Sequence, residues 1–355
     1  MMRMIDLLHR WIGGTIGVLL MLLGLSGVAL VHRHSWIMLP HAGETGPQSA
    51  ERVAVLAQAV MSHGTPPRST LFAGEAFGLS RLSWPDGGGA YVDWAGNAVA
   101  RWNDAWGRPE LWLFEFHHYL LAGDAGKMAT GIAGIAGIAL VLMGVILWWR
   151  TRRSFEFRLW PKRVSRPAIV RHHRDLGILL APVLLLSLVT GATLIFRPIA
   201  NILFGPGANA AIQATLDDPA APPGAVSPDL DWHAMILTAH ARFPDAEIRA
   251  LILPAKPGAP ITVRMRRPFE WLPNGRTMIW FAPATGAVIG ARDAEDLPWQ
   301  ARAFNLLYPL HSASGTGLAH RLLMTLSGLG LALLGSFAVW SFWFRRPPAP
   351  VRARA

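Results

Sequence analysis

Four stretches of this 355-residue chain are long, apolar and free of Asp, Glu, Lys and Arg: Trp11–Val31, Met128–Trp149, Leu176–Phe196 and Leu322–Phe344. A hydrocarbon layer of roughly 30 Å is crossed by about 20 helical residues. Within that layer every main-chain N–H and C=O must find a partner inside the protein. Each stretch is therefore expected to be a membrane-spanning helix, with Pro182 tolerated as a kink in the third. Composition agrees, since 52% of residues are hydrophobic and only 15% are charged.

The net charge of +11 follows the same plan. Nine Lys or Arg stand between Arg150 and Arg174 against one acid, Glu156, and Arg345, Arg346, Arg352 and Arg354 follow the last span. Short basic loops stay on the cytoplasmic side, so both termini and the 150–174 loop are expected inside. The basicity reads as topology and lipid contact, not as nucleic-acid recognition. The first apolar stretch exceeds the about 7–15 residues of a signal-peptide core and is expected to be a retained anchor. With no cysteine, disulfides, thiolate metal sites and covalent haem attachment are excluded. A redox centre would have to be held through His, Met or oxygen.

A histidine motif occurs twice. His9-Arg10-Trp11-Ile12-Gly13 leads into the first span, and Gly27, after Ser26, lies eighteen residues beyond the histidine. His173-Arg174-Asp175-Leu176-Gly177 leads into the third, with Gly191, after Thr190, again eighteen residues on. The second and fourth spans end alike, in Trp148-Trp149-Arg150 and Trp343-Phe344-Arg345, and histidines in Gly-rich approaches precede them: His117-His118 and His311. The chain thus reads as two half-repeats of span, outer segment and span. The boundaries expected are 1–31 for the first span, 32–110 for the first outer segment, 111–149 for the second span and its approach, and 150–174 for the basic loop. The second half runs 175–197, 198–305 and 306–344, with a tail at 345–355. Each outer segment reads as a small α+β domain. One has a helix at Glu51–His63 and strands at Gly78–Trp84, Ala90–Trp94 and Ala98–Trp102. The other has a helix at Asp231–Phe243 and strands at Glu247–Leu253, Ile261–Arg266, Thr277–Ala282 and Ala287–Ala291. Gly205–Ser227, rich in Ala, Pro and Gly, reads as a linker.

Topology sorts the thirteen histidines. His9, His172 and His173 fall at the cytoplasmic side; His32, His34, His117, His118, His311 and His320 fall at the outer side. A bis-histidine haem b needs two imidazoles on opposite faces of one iron, with Nε2 toward the metal. Related halves would pair His9 with His173, and His117 or His118 with His311. The plainer reading is that such residues are interfacial anchors; matched spacing favours ligation most for His9 and His173. His32, His34 and His320 are expected as anchors or supporting groups, and His41, His63, His233 and His240 as surface residues. Arg10 and Arg174 would meet haem propionates or simply anchor the loop. Gly13, Gly17, Gly24, Gly27, Gly177 and Gly191 would admit a macrocycle or merely let helices pack. Arg264 and Arg266 alternate on one strand face, beside Arg267, as an attractant for an anionic chelate or as a solvated face balanced by Glu270. No nucleophile–base pair, phosphate loop or zinc motif is present, and no catalytic side chain is expected.

The chain resembles the PepSY-associated transmembrane family of bacterial iron-regulated inner-membrane proteins. The resemblance rests on Leu8-His9-Arg10-Trp11-Ile12-Gly13, Phe116-His117-His118-Tyr119-Leu120-Leu121, His173-Arg174-Asp175-Leu176-Gly177, and Leu310-His311 followed by Gly315 and Gly317. Tyr91–Val99 and Trp280–Ile289 resemble the ends of PepSY units. It implies a mostly α protein: a four-helix bundle with two small α+β periplasmic PepSY-like domains, holding two haems b and passing electrons outward to a ferric siderophore or other Fe(III) chelate. The family pattern favours His117 over His118 and His173 over His172. The fused flavin reductase domain of some relatives is not found in this sequence, which leaves the donor, cytoplasmic or quinol, open. Two rival classes remain: a non-redox membrane module that binds or inhibits a partner protein, and a small-solute transporter. The spans carry no acidic coupling residue, which argues against the second.

Overall fold

A computed structural model of the chain describes residues 1–62, 64–158 and 160–344; His63 and the basic tail from Arg345 onward lie outside the described residues. In chain order the elements begin with α1 (Met2–Val31), α2 (Arg33–Trp36), α3 (Ala50–Ser62), β1 (Ser69–Leu71), β2 (Ser80–Ser83), β3 (Gly89–Val92), β4 (Ala98–Trp102) and α4 (Pro109–Tyr119). Next come α5 (Gly123–Thr151), α6 (Arg166–Ile195), α7 (Ala200–Phe204), α8 (Ala208–Ala214) and α9 (Trp232–Arg242). Finally come β5 (Glu247–Ile252), β6 (Ile261–Arg266), β7 (Thr277–Phe281), β8 (Val288–Arg292), α10 (Trp299–Ser312) and α11 (Gly317–Trp343). They form a membrane unit of Met1–Val31, Phe116–Ile195 and the chain from Leu318, and an extramembrane unit of His32–Glu115 and Phe196–Gly317.

In the membrane unit, α1, α5, α6 and α11 are each long and apolar enough to cross a bilayer, as expected. Two of them begin well before their apolar stretches: the lead-in of α1 is rich in Met, Leu and Arg, good helix formers, and that of α6 opens Arg166-Pro167, with proline in the first turn, where its missing N–H costs nothing. His9 and His173 are therefore not at helix starts. Each stands seven residues past the first residue of its helix, in α1 and α6 respectively. Small residues set how closely the helices meet, since lipid offers no hydrophobic drive for their association. A Cβ on Gly24 would lie 2.5 Å from the Gly328 carbonyl oxygen, and one on Gly335 would lie 2.6 Å from that of Gly17. Helices α1 and α11 thus touch backbone to backbone. Between α5 and α6, Gly137 receives the Leu188 side chain, and Leu184 and Leu188 pack with Leu334 of α11.

In the extramembrane unit the strands form one antiparallel sheet in the order β4-β3-β2-β1-β5-β6-β7-β8. Alternation decides its faces. Ile261, Val263 and Met265 of β6 stand opposite Phe281, Ile279 and Thr277 of β7, and these β6 residues join Ile279 and Phe281 in a core with Leu56 of α3 and Ile236 of α9. Each such burial contributes roughly 1.5–3 kcal/mol. Gly96 lies in the turn from β3 to β4 and Gly286 in the turn from β7 to β8; both have positive φ, 84° and 68°, which a side chain would resist.

The sequence reading expects two separate small domains here, and the structure departs from it. Strand β1, which sequence patterning passes over, pairs on one side with β2 and on the other with β5, so both outer segments share a single sheet. Exposed sheet edges invite pairing, and here the two innermost edges satisfy each other. The expected linker Gly205–Ser227 also holds α8, whose Ile212 is buried.

Candidate functional site

A cavity of about 810 Å³ opens within the membrane unit. Its walls include His9, Gly13 and Gly17 of α1, Leu140 and Gly144 of α5, His173 and Gly177 of α6, and Leu334 and Phe337 of α11. The histidine rings have their centroids 6.2 Å apart and their planes at 80°. Each ring lies against main chain, His9 against Leu140 and His173 against Leu334. In both, Nδ1 is buried without a hydrogen-bond partner. Two buried imidazoles thus stand side by side on the wall of a space that the helices do not fill.

The residues fit a haem. Two imidazoles sharing one metal ion, with nitrogen–metal distances of about 2 Å and ring radii of about 1.2 Å, place their centroids about 6.4 Å apart. The volume lies within the roughly 300–1,000 Å³ of sites that enclose cofactor-sized ligands. A Cβ on Gly144 would stand 3.5 Å from His9 Cε1, so the absence of a side chain there keeps the ring's surroundings open. Arg3, Arg10, Arg150 and Arg166 line the same cavity and supply cations for acidic substituents. Among the described residues no three His, Asp or Glu side chains converge on a metal-sized point.

Arg174 has a different task from the propionate partner it suggests in sequence. Its Nε and Nη2 donate to Asp175 at 2.7 and 2.9 Å, and Nη1 and Nη2 donate to Oγ and the carbonyl of Ser154 at 2.8 Å. Asp175 is buried and also accepts from the Glu156 amide at 3.4 Å. This pair therefore fastens the 152–158 segment to α6. His172 lies outside the large cavity, its ring edge-on to Phe337 at 5.6 Å. His173, not His172, is the one beside His9.

At the other end of α1, Ser26 meets His117. The Ser26 hydroxyl lies 3.1 Å from the Leu23 carbonyl and 2.9 Å from His117 Nδ1. With its hydroxyl proton on the Leu23 carbonyl, Ser26 can accept from His117 Nδ1, the arrangement that would leave Nε2 as the acceptor nitrogen of the ring. Gly27 makes room, for a Cβ there would stand 3.2 Å from His117 Cε1. His118 packs edge-on against Tyr119 at 4.5 Å. Burial, then the nearby Lys127 ammonium, holds its imidazole below the ordinary range. His311 lies in the last turn of α10, in the extramembrane unit. His34 stacks on Phe77 at 5.4 Å.

The family model described as the PepSY-associated TM region matches residues 7–346. The chain belongs to this family. Among curated proteins none matches it. For this PepSY-associated TM protein, the match takes in all four membrane helices and the whole extramembrane unit.

The basic strand face, read either as an attractant for an anionic chelate or as a face balanced by nearby acids, is tied up internally. Arg264 donates to the Gly275 carbonyl at 2.9 and 2.7 Å, Arg266 pairs with Glu247 at 2.7 Å, and Arg267 pairs with Asp245 and Asp293. Burial, then the neighbouring Arg276, lowers Arg264 to about 9. Sequence reasoning missed Ser26 as the partner of His117 and Asp175 as the anchor of the loop. The only signal for either was its place in a repeated motif: Ser26 before the glycine eighteen residues on, Asp175 two residues after His173.

Proposed function

We propose that this chain is a bacterial inner-membrane electron-transfer protein holding two haems b, and that it reduces an Fe(III) chelate, of the siderophore type, on the periplasmic side. The observation that carries the reading is the His9–His173 pair, 6.2 Å apart beside a cavity of about 810 Å³. When bound, haem supplies one-electron transfer at a potential set by its axial ligands, burial and hydrogen bonds. The residues supply the rest. His9 and His173 would hold the haem iron through their imidazole nitrogens, and Gly13, Gly17, Leu140 and Leu334 would border its ring. Arg10, Arg150 and Arg166 offer cations for propionates. His117, whose Nδ1 lies 2.9 Å from the Ser26 hydroxyl, is the proposed ligand of a second haem.

The half-repeat reading is supported by the equal positions of His9 and His173 in their helices and by the mirrored strand order about β1 and β5. The basic 150–174 loop supports cytoplasmic termini. Each Fe(III) takes one electron to become Fe(II), a softer and less charged ion that hard oxygen ligands hold less tightly. The donor is a cytoplasmic reductase or a quinol. The test is a dithionite-reduced minus oxidised spectrum of the purified protein, followed by reoxidation with an Fe(III) chelate. Two haems b per chain, reoxidised by the chelate, are expected. Folded, haem-supplied protein with no haem spectrum would overturn the reading.

A further inference from the structure

A second, smaller cavity of about 320 Å³ lies in the membrane unit, between the first turns of α6 and the segment from Glu156 to Ser165. It is distinct from the large cavity: His172 lines this one and His173 the other. Four cationic side chains line it, Arg158, Lys162, Arg163 and Arg171, against two acids, Glu156 and Asp175. Both acids are already engaged. Glu156 pairs with Arg158 and lies 4.0 Å from Lys162, while Asp175 is held by Arg174. Among the described residues, Arg163 and Arg171 have no carboxylate within ion-pair distance. Facing the same space is His172, only 4% exposed, whose Nε2 is buried with no hydrogen-bond partner.

The charge of the lining, the start of α6 and the buried His172 converge on one space. A concave site carries excess positive charge, which concentrates anions. Guanidinium groups without a partner match the paired oxygens of a phosphate. The walls also include the start of α6, a 30-residue helix whose first N–H groups and dipole favour negative charge. Through its orphaned Nε2, His172 adds a polar group that the fold itself leaves unsatisfied. The volume stands at the low end for small-molecule sites, enough for a phosphate and the group that bears it. We propose that this pocket binds a phosphate group, of an anionic lipid headgroup or of a soluble phosphate compound, through Arg163 and Arg171 over His172. Basic pockets at the ends of membrane helices recognise lipid phosphates by this chemistry. The inference does not depend on the haem reading.

The test uses the full chain purified in a neutral detergent and titrated calorimetrically with two probes, inorganic phosphate and dihexanoyl phosphatidylglycerol. Saturable binding of at least one is expected, and the double variant Arg163→Gln/Arg171→Gln should weaken it at least tenfold. The control is Arg153→Gln, a basic residue of the preceding turn that does not line the pocket, expected to change binding less than twofold. Binding of the lipid alone assigns a headgroup site; binding of inorganic phosphate assigns a soluble ligand. Should the double variant not fold, His172→Phe, which replaces the lining imidazole with a ring that has no polar atom, should give the same loss. No saturable binding of either probe, or an equal loss in Arg153→Gln, overturns the proposal.

Discussion

The two units solve the packing problem in opposite ways. In the extramembrane unit, Leu56, Ile236, Val263, Met265 and Phe281 meet in a core where none is more than 1% exposed. On strand β6, Arg264 reaches the Gly275 carbonyl and Arg266 reaches Glu247. In the membrane unit, helices close to backbone contact at Gly24 and Gly328 yet leave about 810 Å³ beside two imidazoles with unpaired nitrogens. A void forfeits dispersion contacts and an orphaned polar atom forfeits a hydrogen bond. The first unit closes a core of side chains between its sheet and helices; the second keeps a cavity between its helices, beside two imidazoles.

The sharpest way to break this contrast is at the glycines. Gly24→Leu drives a side chain into the Gly328 carbonyl and is expected to abolish monodisperse folded protein in size-exclusion chromatography. Gly144→Ala, pointing beside His9, should leave it intact. Equal outcomes would mean that contact and cavity glycines are not distinct. The next largest effect belongs to the extramembrane core. Phe281→Ala should cost roughly 3–5 kcal/mol, read as lost hydrogen-exchange protection across β6 and β7; unchanged protection would mean the core is not closed there.

These contrasts also mark what the sequence could disclose. Spans of charge-free residues admit one outcome in a bilayer, so α1, α5, α6 and α11 were legible at once. So was the His9–His173 pair, because a repeat at equal spacing survives folding. Strand β1 was not legible: three residues, Ser69–Leu71, carry too short an alternation to stand out, and its role as the joint with β5 depends on a partner about 180 residues away. The pairing of Arg174 with Asp175 and Ser154 was hidden for a similar reason, since an Arg beside a His serves a cofactor or a loop according to which acid turns toward it.

Smaller effects sharpen the account. Ser26→Ala removes the acceptor of His117 Nδ1, which should cost about 1–3 kcal/mol. It should also release the ring from a single tautomer, visible in ¹⁵N histidine spectra and restored by Ser26→Thr. A single tautomer persisting in Ser26→Ala would show that other contacts fix the ring. The slightest effect concerns Tyr91, whose phenol is pushed up to about 12 by burial and by the nearby Glu110. Because folding favours the neutral phenol, its contribution is intact below pH 10 and is lost as pH rises from 10 toward 12. Ultraviolet titration should show one of the three tyrosines ionising late, and Tyr91→Phe should remove that phase.

The central claim is that His9 and His173 together hold a haem, and the most direct measurement is haem content per chain in three variants. His9→Ala and His173→Ala should each lose one haem b of two, with the matching loss in the reduced spectrum, while His172→Ala keeps both. Full haem content in His9→Ala and His173→Ala would contradict the account.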